Sequence, residues 1–219
     1  MGIVEFSQVD PAWLVINLVV LLFSLSVHES AHAWAANRLG DPTARDLGRI
    51  TLNPIVHMDL IGTVLFPLLG LLGGGVVFGW AKPVPVNPNN LRRANRDHAL
   101  VAAAGPASNV LAAVGFLLAS KLLGTLFPTQ IAAQQAVVFP LFLLFRVGLM
   151  LNVILAVFNL FPIPPLDGSW ILSRLFPGQV GSLIERARPY GFLLLILLIW
   201  SGVFSSVIGP ILVFVQGLA

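Results

Sequence analysis

The sequence predicts an all-α integral membrane protein of about four transmembrane helices, with a re-entrant hairpin and a short β segment between the first two. Three observations carry this. Of 219 residues, 57% are apolar and 10% are Asp, Glu, Lys or Arg, whereas a soluble domain carries roughly a quarter charged residues. The few charges are bunched, so residues 60–81, 99–120, 122–145, 147–166 and 189–219 hold none. Each stretch can enter or cross a hydrocarbon core about 30 Å thick, which takes about 20 helical residues. One of these runs is broken by Pro67 and by Gly70, Gly73, Gly74, Gly75 and Gly79. The absence of cysteine excludes a disulfide framework, a zinc ribbon, an iron–sulfur cluster and thiol catalysis. The net charge of +3 reads as a topology signal and not as a nucleic-acid footprint.

The first ten residues carry Glu5 and Asp10 and no basic residue, so they lack the positive region of a secretory signal. The first helix is expected from Pro11 to Leu39, because Gly40 and Pro42 form a stop signal. Residues 41–59 read as an interfacial loop or hairpin in which Arg49-Ile50-Thr51-Leu52 has strand character. The broken run 60–81 is flanked on both sides by basic groups, Arg38, Arg45 and Arg49 before it and Lys82, Arg92, Arg93 and Arg96 after it. A single crossing would place one group outside, against the positive-inside rule. A re-entrant element within 41–96 is therefore expected, lining a site. Its exit, 80–91, is rich in Pro and Asn and reads as extended chain. Further spans are expected from about Asp97, from about Ala136 to Leu160, and from about Tyr190 to Val215. With the first span running outside to inside, ten of the twelve basic residues fall on the cytoplasmic side and both termini outside. The whole chain, 1–219, reads as one membrane-embedded domain.

The most informative feature is His28-Glu29-Ser30-Ala31-His32 on the first helix. Two His at i and i+4 project from one helix face and form a clamp for zinc, with the adjacent Glu29 placed as general base. Ionisable groups inside an apolar helix are costly and imply function by default. A catalytic zinc takes three protein ligands and keeps an open position. The candidates for the third are His57, Asp59, His98 and Asp167, and Asp167 is favoured because Pro162, Pro164 and Pro165 stiffen the chain before it and Gly168 permits a close turn after it. Asn109 and Asn159 lie beside small or kinked backbone, where an amide could steady a tetrahedral oxyanion or position substrate; each could equally bridge helices or orient a ligand. His57 is a candidate partner of the site or a substrate contact, and Asn152, seven residues before Asn159, lies on the same helix face. No GxSG or GxGD motif of other intramembrane proteases occurs.

Three of these elements together resemble the site-2 proteases, which are intramembrane zinc metalloproteases. HExxH stands at 28–32, GxxxN at 105–109 and NxxPxPxLDG at 159–168, in the family's order. The resemblance covers about residues 12–175 and implies a three-helix catalytic core. It implies one zinc held by His28, His32 and Asp167, with Glu29 activating water. It also implies transmembrane proteins as substrates and a site that opens toward the cytoplasm. A minimal form is expected, without the PDZ domain of some relatives or the nucleotide-binding domain of others, in a prokaryotic cytoplasmic membrane. The alternative reading of the same His, Glu and Asp residues is a metal-ion or proton path through a transporter.

Overall fold

The computed structural model describes residues 11–65 and 81–218. The chain begins with α1 (Pro11–Leu39), followed by the single turns α2 (Thr43–Asp46) and α3 (Pro54–His57) and a π-helical turn at Leu60–Leu65. After the irregular residues 81–87 and a 3-10 turn at Pro88–Asn90 come α4 (Ala94–Leu126), the short α5 (Pro128–Ala132) and α6 (Val138–Asn159). The chain ends with α7 (Asp167–Leu175), α8 (Gln179–Ala187), a 3-10 turn at Arg188–Tyr190, α9 (Gly191–Trp200) and α10 (Val203–Leu218).

Three helices, α1, α4 and α6, are long and apolar enough to cross a membrane. A fourth span exists if the bent pair Gln179–Trp200 and Val203–Leu218 is taken as one. The expected continuous last span is instead broken at Ser201-Gly202, where the two arms meet at 58°. Gly202 has φ +74° there, a left-handed conformation that an apolar helix former would resist.

The core is the packing of α4 against α1 and α6. On α1 the buried residues Val20, Ser24, His28, His32 and Ala36 recur every four positions and form one stripe. The facing side of α4 is built of small residues, with Ala99, Ala102, Gly105, Asn109 and Ala113 buried. Small side chains let the helices approach closely, which is how helices associate where lipid removes the hydrophobic driving force.

Among the described residues there is no strand. The Arg49–Leu52 stretch is irregular between α2 and α3, and 81–87 has no regular secondary structure. The physical reason lies in the donors. Pro83 and Pro85 have no N–H, while the Lys82 N–H goes to the His57 carbonyl (2.8 Å). Buried Arg49 takes the carbonyls of Lys82 and Pro83 with Nη2 and that of Val56 with Nη1. The expected re-entrant hairpin falls largely on residues 66–80, outside the described residues.

The end of α1 is tied to the 81–91 segment by a polar clasp. Asp41 is fully buried. Its carboxylate accepts from Thr43 N (3.1 Å), Thr43 Oγ1 (2.5 Å), Asn90 Nδ2 (2.9 Å) and Asn87 N (2.7 Å). Burial pushes the Asp41 carboxyl up, but the hydrogen bonds from Thr43, Asn90 and Asn87 outweigh it and hold the group below its usual value of 3.8. Gly40, at φ +114°, allows the close approach, since a Cβ there would run into the Asn90 carbonyl.

Because the folded value is depressed, the clasp's contribution is complete above the unfolded pKa and is lost as pH falls through the folded one. Asp41→Ala is expected to cost about 3 kcal/mol by leaving buried donors unpaired. It should also weaken the dependence of Tm on pH below about 4 relative to wild type. Thermal unfolding in detergent across pH 3–7 checks both.

Candidate metal centre

The two His of α1 and the first residue of α7 converge. His28 Nε2 lies 3.0 Å from His32 Nε2 and 3.1 Å from Asp167 Oδ2, and His32 Nε2 to Asp167 Oδ1 is 3.4 Å. His28 and His32 are buried, and Asp167 is partly buried. Asp167 begins α7 and does not lie in the extended stretch before it; the preceding turns close by Leu166 N–H to the Ile163 carbonyl at 3.0 Å. Gly168 packs directly on the Leu160 and Phe161 carbonyls, a position where a Cβ would overlap both.

The proton positions on both imidazoles follow from what lies behind them. The Val101 carbonyl, 2.7 Å from His32 Nδ1, can only accept, so that nitrogen carries the proton. For His28 the constraint is passed along three side chains. The Gly148 carbonyl, again only an acceptor, requires the Asn152 amide nitrogen at 2.8 Å, and this nitrogen also reaches Ser24 Oγ at 2.8 Å. Asn152 Oδ1 must then face Asn109 Nδ2 (2.8 Å), which turns Asn109 Oδ1 toward His28 Nδ1 at 2.6 Å. Asn109 and Asn152 are fully buried. Both His therefore carry hydrogen on Nδ1, and both Nε2 atoms face the Asp167 carboxylate.

Such a donor set fits a cation. Ligands about 2.0–2.2 Å from a tetrahedral zinc stand about 3.3 Å apart, and the three contacts above are 3.0–3.4 Å. Two lone pairs and a carboxylate this close repel one another unless positive charge lies among them. Asp167 Oδ2 is also buried without a hydrogen-bond donor.

Glu29 faces the same cavity of about 730 Å³. Its Oε2 accepts from Val84 N–H at 3.2 Å. Asn159 lines the cavity and donates to the Leu155 carbonyl at 3.0 Å. Asn109 stands behind His28 and away from the cavity, in a position to orient that ligand. His57 is buried elsewhere, with Nε2 2.8 Å from the Thr51 carbonyl, where it shapes the loop after α2. Asp59 Oδ1 accepts from Ile61 N (3.0 Å) and Gly62 N (2.7 Å) at the π turn, and His98 lies farther along the cavity. Sequence reasoning passed over Ser24, although it stands four residues before His28 on the same helix face. It also passed over Trp170 and Arg174, three and seven residues beyond Asp167 on α7.

A His pair on a membrane-crossing helix, a carboxylate from a second element and a glutamate in the shared cavity define a membrane-embedded metallopeptidase. The comparisons with known proteins agree. The model of peptidase family M50 matches residues 16–201. A candidate zinc metalloprotease of Bacillus subtilis, YwhC, is 39% identical over 91% of this chain and 85% of its own length. Rip2 of Mycolicibacterium smegmatis and Rip2 of Mycobacterium tuberculosis, both named as candidate zinc metalloproteases, are each 30% identical over 81% and 88% of this chain. The chain spans about two thirds of the Rip2 proteins, 64% and 66%. No solved structure matches. The chain belongs to peptidase family M50, the site-2 proteases, and is an intramembrane metalloprotease.

Gly105, first residue of GxxxN, lies against both rings, and a Cβ there would overlap His28 and His32. Gly105→Ala, a helix-favouring change, should therefore keep the fold but lose most bound zinc. Asn109→Leu should weaken zinc binding about 10–100-fold. Metal analysis of purified protein and competition with a zinc chelator check both.

Proposed function

We propose that residues 1–219 form one membrane-embedded protease domain that hydrolyses peptide bonds within or beside transmembrane helices of membrane proteins. In this reading His28, His32 and Asp167 hold a single zinc and Glu29 is the general base. The observation that carries it is the convergence of the Nε2 atoms of His28 and His32 and the Asp167 carboxylate in one cavity with Glu29. Nothing in the fold or the comparisons favours the transport alternative.

Zinc, when bound, supplies a Lewis acid that polarises the scissile carbonyl and acidifies a water. The chain's own residues do the rest. Glu29 takes the proton from the attacking water and returns it to the leaving amine. The Val84 N–H holds one carboxylate oxygen of Glu29 and so fixes its orientation. Asn109 keeps His28 in the tautomer that leaves Nε2 free. Asn159, at the cavity wall, positions the substrate main chain. A helical substrate must first unwind locally, because its own i to i−4 hydrogen bonds cover the carbonyl.

The distribution of basic residues supports a cytoplasmic opening for the site and a prokaryotic cytoplasmic membrane as its location. Arg174, Arg186 and Arg188 follow Asp167 closely in the chain, and Lys82 precedes the segment that contacts Glu29.

The test is zinc content paired with cleavage of a helix-destabilised transmembrane peptide by wild type, Glu29→Gln and Asp167→Asn. Wild type and Glu29→Gln should each hold about one zinc per chain, whereas Asp167→Asn should lose it. Cleavage should fall about a thousandfold in Glu29→Gln. Full zinc in Asp167→Asn would remove that ligand, and undiminished cleavage by Glu29→Gln would remove the base.

A further inference from the structure

The cavity that holds the metal group continues along one face of α7. Asp167, Trp170 and Arg174 are three and four residues apart, share that face and line the same cavity, joined by His98 of α4. Arg174 stands seven residues beyond Asp167, about 10 Å along the axis at 1.5 Å per residue. Extended chain covers that distance in about three residues.

This far end is basic and short of acceptors. His98 is buried and stacks on Trp170 with ring centroids 4.7 Å apart. Its Nδ1 has no hydrogen-bond partner. Arg188 lies over the same indole at 3.2 Å and is committed to Glu185, its Nε donating to Oε2 at 2.6 Å. Arg174 lies 5.2 Å from the indole centroid and reaches Glu185 at only 3.7 Å. Its Nε is buried without an acceptor. One carboxylate thus serves two guanidinium groups, and the surplus positive charge sits on the residue that lines the cavity.

We propose that Arg174, with Trp170 and His98 as its walls, is a specificity subsite that takes an acidic side chain of the substrate about three residues from the scissile bond. The inference rests on the proteolytic reading, since Asp167 marks where the bond is cut. Spacing selects a side chain as the source of the carboxylate. The carboxylate released by hydrolysis forms at the metal group itself, two helical turns away from Arg174. Guanidinium and carboxylate pair through two parallel hydrogen bonds, and the sheltered cavity strengthens them.

The test uses the full-length protein in nanodiscs and a transmembrane peptide with a helix-destabilised segment. Asp or Asn is placed in turn at every residue of that segment. Binding of each peptide to zinc-loaded Glu29→Gln is measured, and cleavage by the Glu29 enzyme is mapped by mass spectrometry. At one position Asp should be preferred over Asn about tenfold, and that position should lie two to four residues from the cut bond. Adding Arg174→Gln should bring the Asp-to-Asn ratio to about one, Arg174→Lys should keep part of it, and Arg174→Glu should favour a Lys peptide instead. If Arg174 only staples α7 to α8 through Glu185, its variants would weaken both peptides alike and leave the ratio intact, which overturns the subsite. An Asp-to-Asn ratio near one at every position overturns it as well, while cleavage in that case keeps the proteolytic reading. An Asp preference that moves with Arg174, without any cleavage by the Glu29 enzyme, would keep the subsite and overturn proteolysis.

Discussion

Two imidazole Nε2 atoms and a carboxylate meet head-on inside an apolar protein, and much of the polar architecture serves to keep them there. Left to themselves, the rings of His28 and His32 would rotate to relieve the repulsion. Acceptors behind each ring oppose this, the Val101 carbonyl for His32 and Asn109 Oδ1 for His28. The second of these is itself oriented by Asn152, which is oriented by the Gly148 carbonyl of its own helix. A backbone carbonyl on α6 thus sets which nitrogen of a histidine on α1 is free, across α4. Asn109 and Asn152 are fully buried and their amides are hydrogen-bonded to one another and to Ser24, His28 and Gly148, which is the condition under which such a network rigidifies a core and does not destabilise it.

The same requirement explains why α4 is made of Ala and Gly where it faces α1. Asn109 can reach His28 only if the helices come close, and Gly105 must leave room for both rings. Pro106 follows immediately. It withholds an N–H from the ladder and crowds the preceding turn, the turn that contains the carbonyl accepting from His32. Small-residue packing in membranes is usually discussed as a means of association; in this molecule it also sets the reach of short amide side chains to a metal group.

Much of this was legible in the sequence. The first helix ends where Gly40 and Pro42 say it should, and HESAH with PLDG named the three residues that meet. What the sequence left open has physical causes. The strand character of Arg49–Leu52 is a local preference, whereas pairing depends on which donors and acceptors remain free. Arg49 and two prolines had already removed them. The break at Ser201-Gly202 is invisible to hydropathy, which registers apolar length and not direction. Asn109 had two roles open to it, since a residue's position along a helix does not tell which neighbour lies across from it. His57, a candidate partner of the site, sits with Nε2 2.8 Å from the Thr51 carbonyl and 3.4 Å from Ser30 Oγ within HESAH, a contact between distant segments that spacing along the chain does not reveal.

The arrangement has a rigid back and a more adaptable front. Behind the imidazoles every group is locked by helices α1, α4 and α6. In front, Glu29 is held by one amide of a segment whose own position depends on Arg49 at one end and the Asp41 clasp at the other. Arg49 is a buried cation whose hydrogen bonds all go to backbone carbonyls, so it binds backbone on both sides of residues 60–81 and ties them together. That division suits hydrolysis of a membrane helix. The ligand geometry must not change when substrate arrives, since an ångström of error at the reacting centre is expensive. The Val84 N–H holds Glu29 through a single backbone hydrogen bond of 3.2 Å, the kind of contact that an incoming chain can exchange for one of its own.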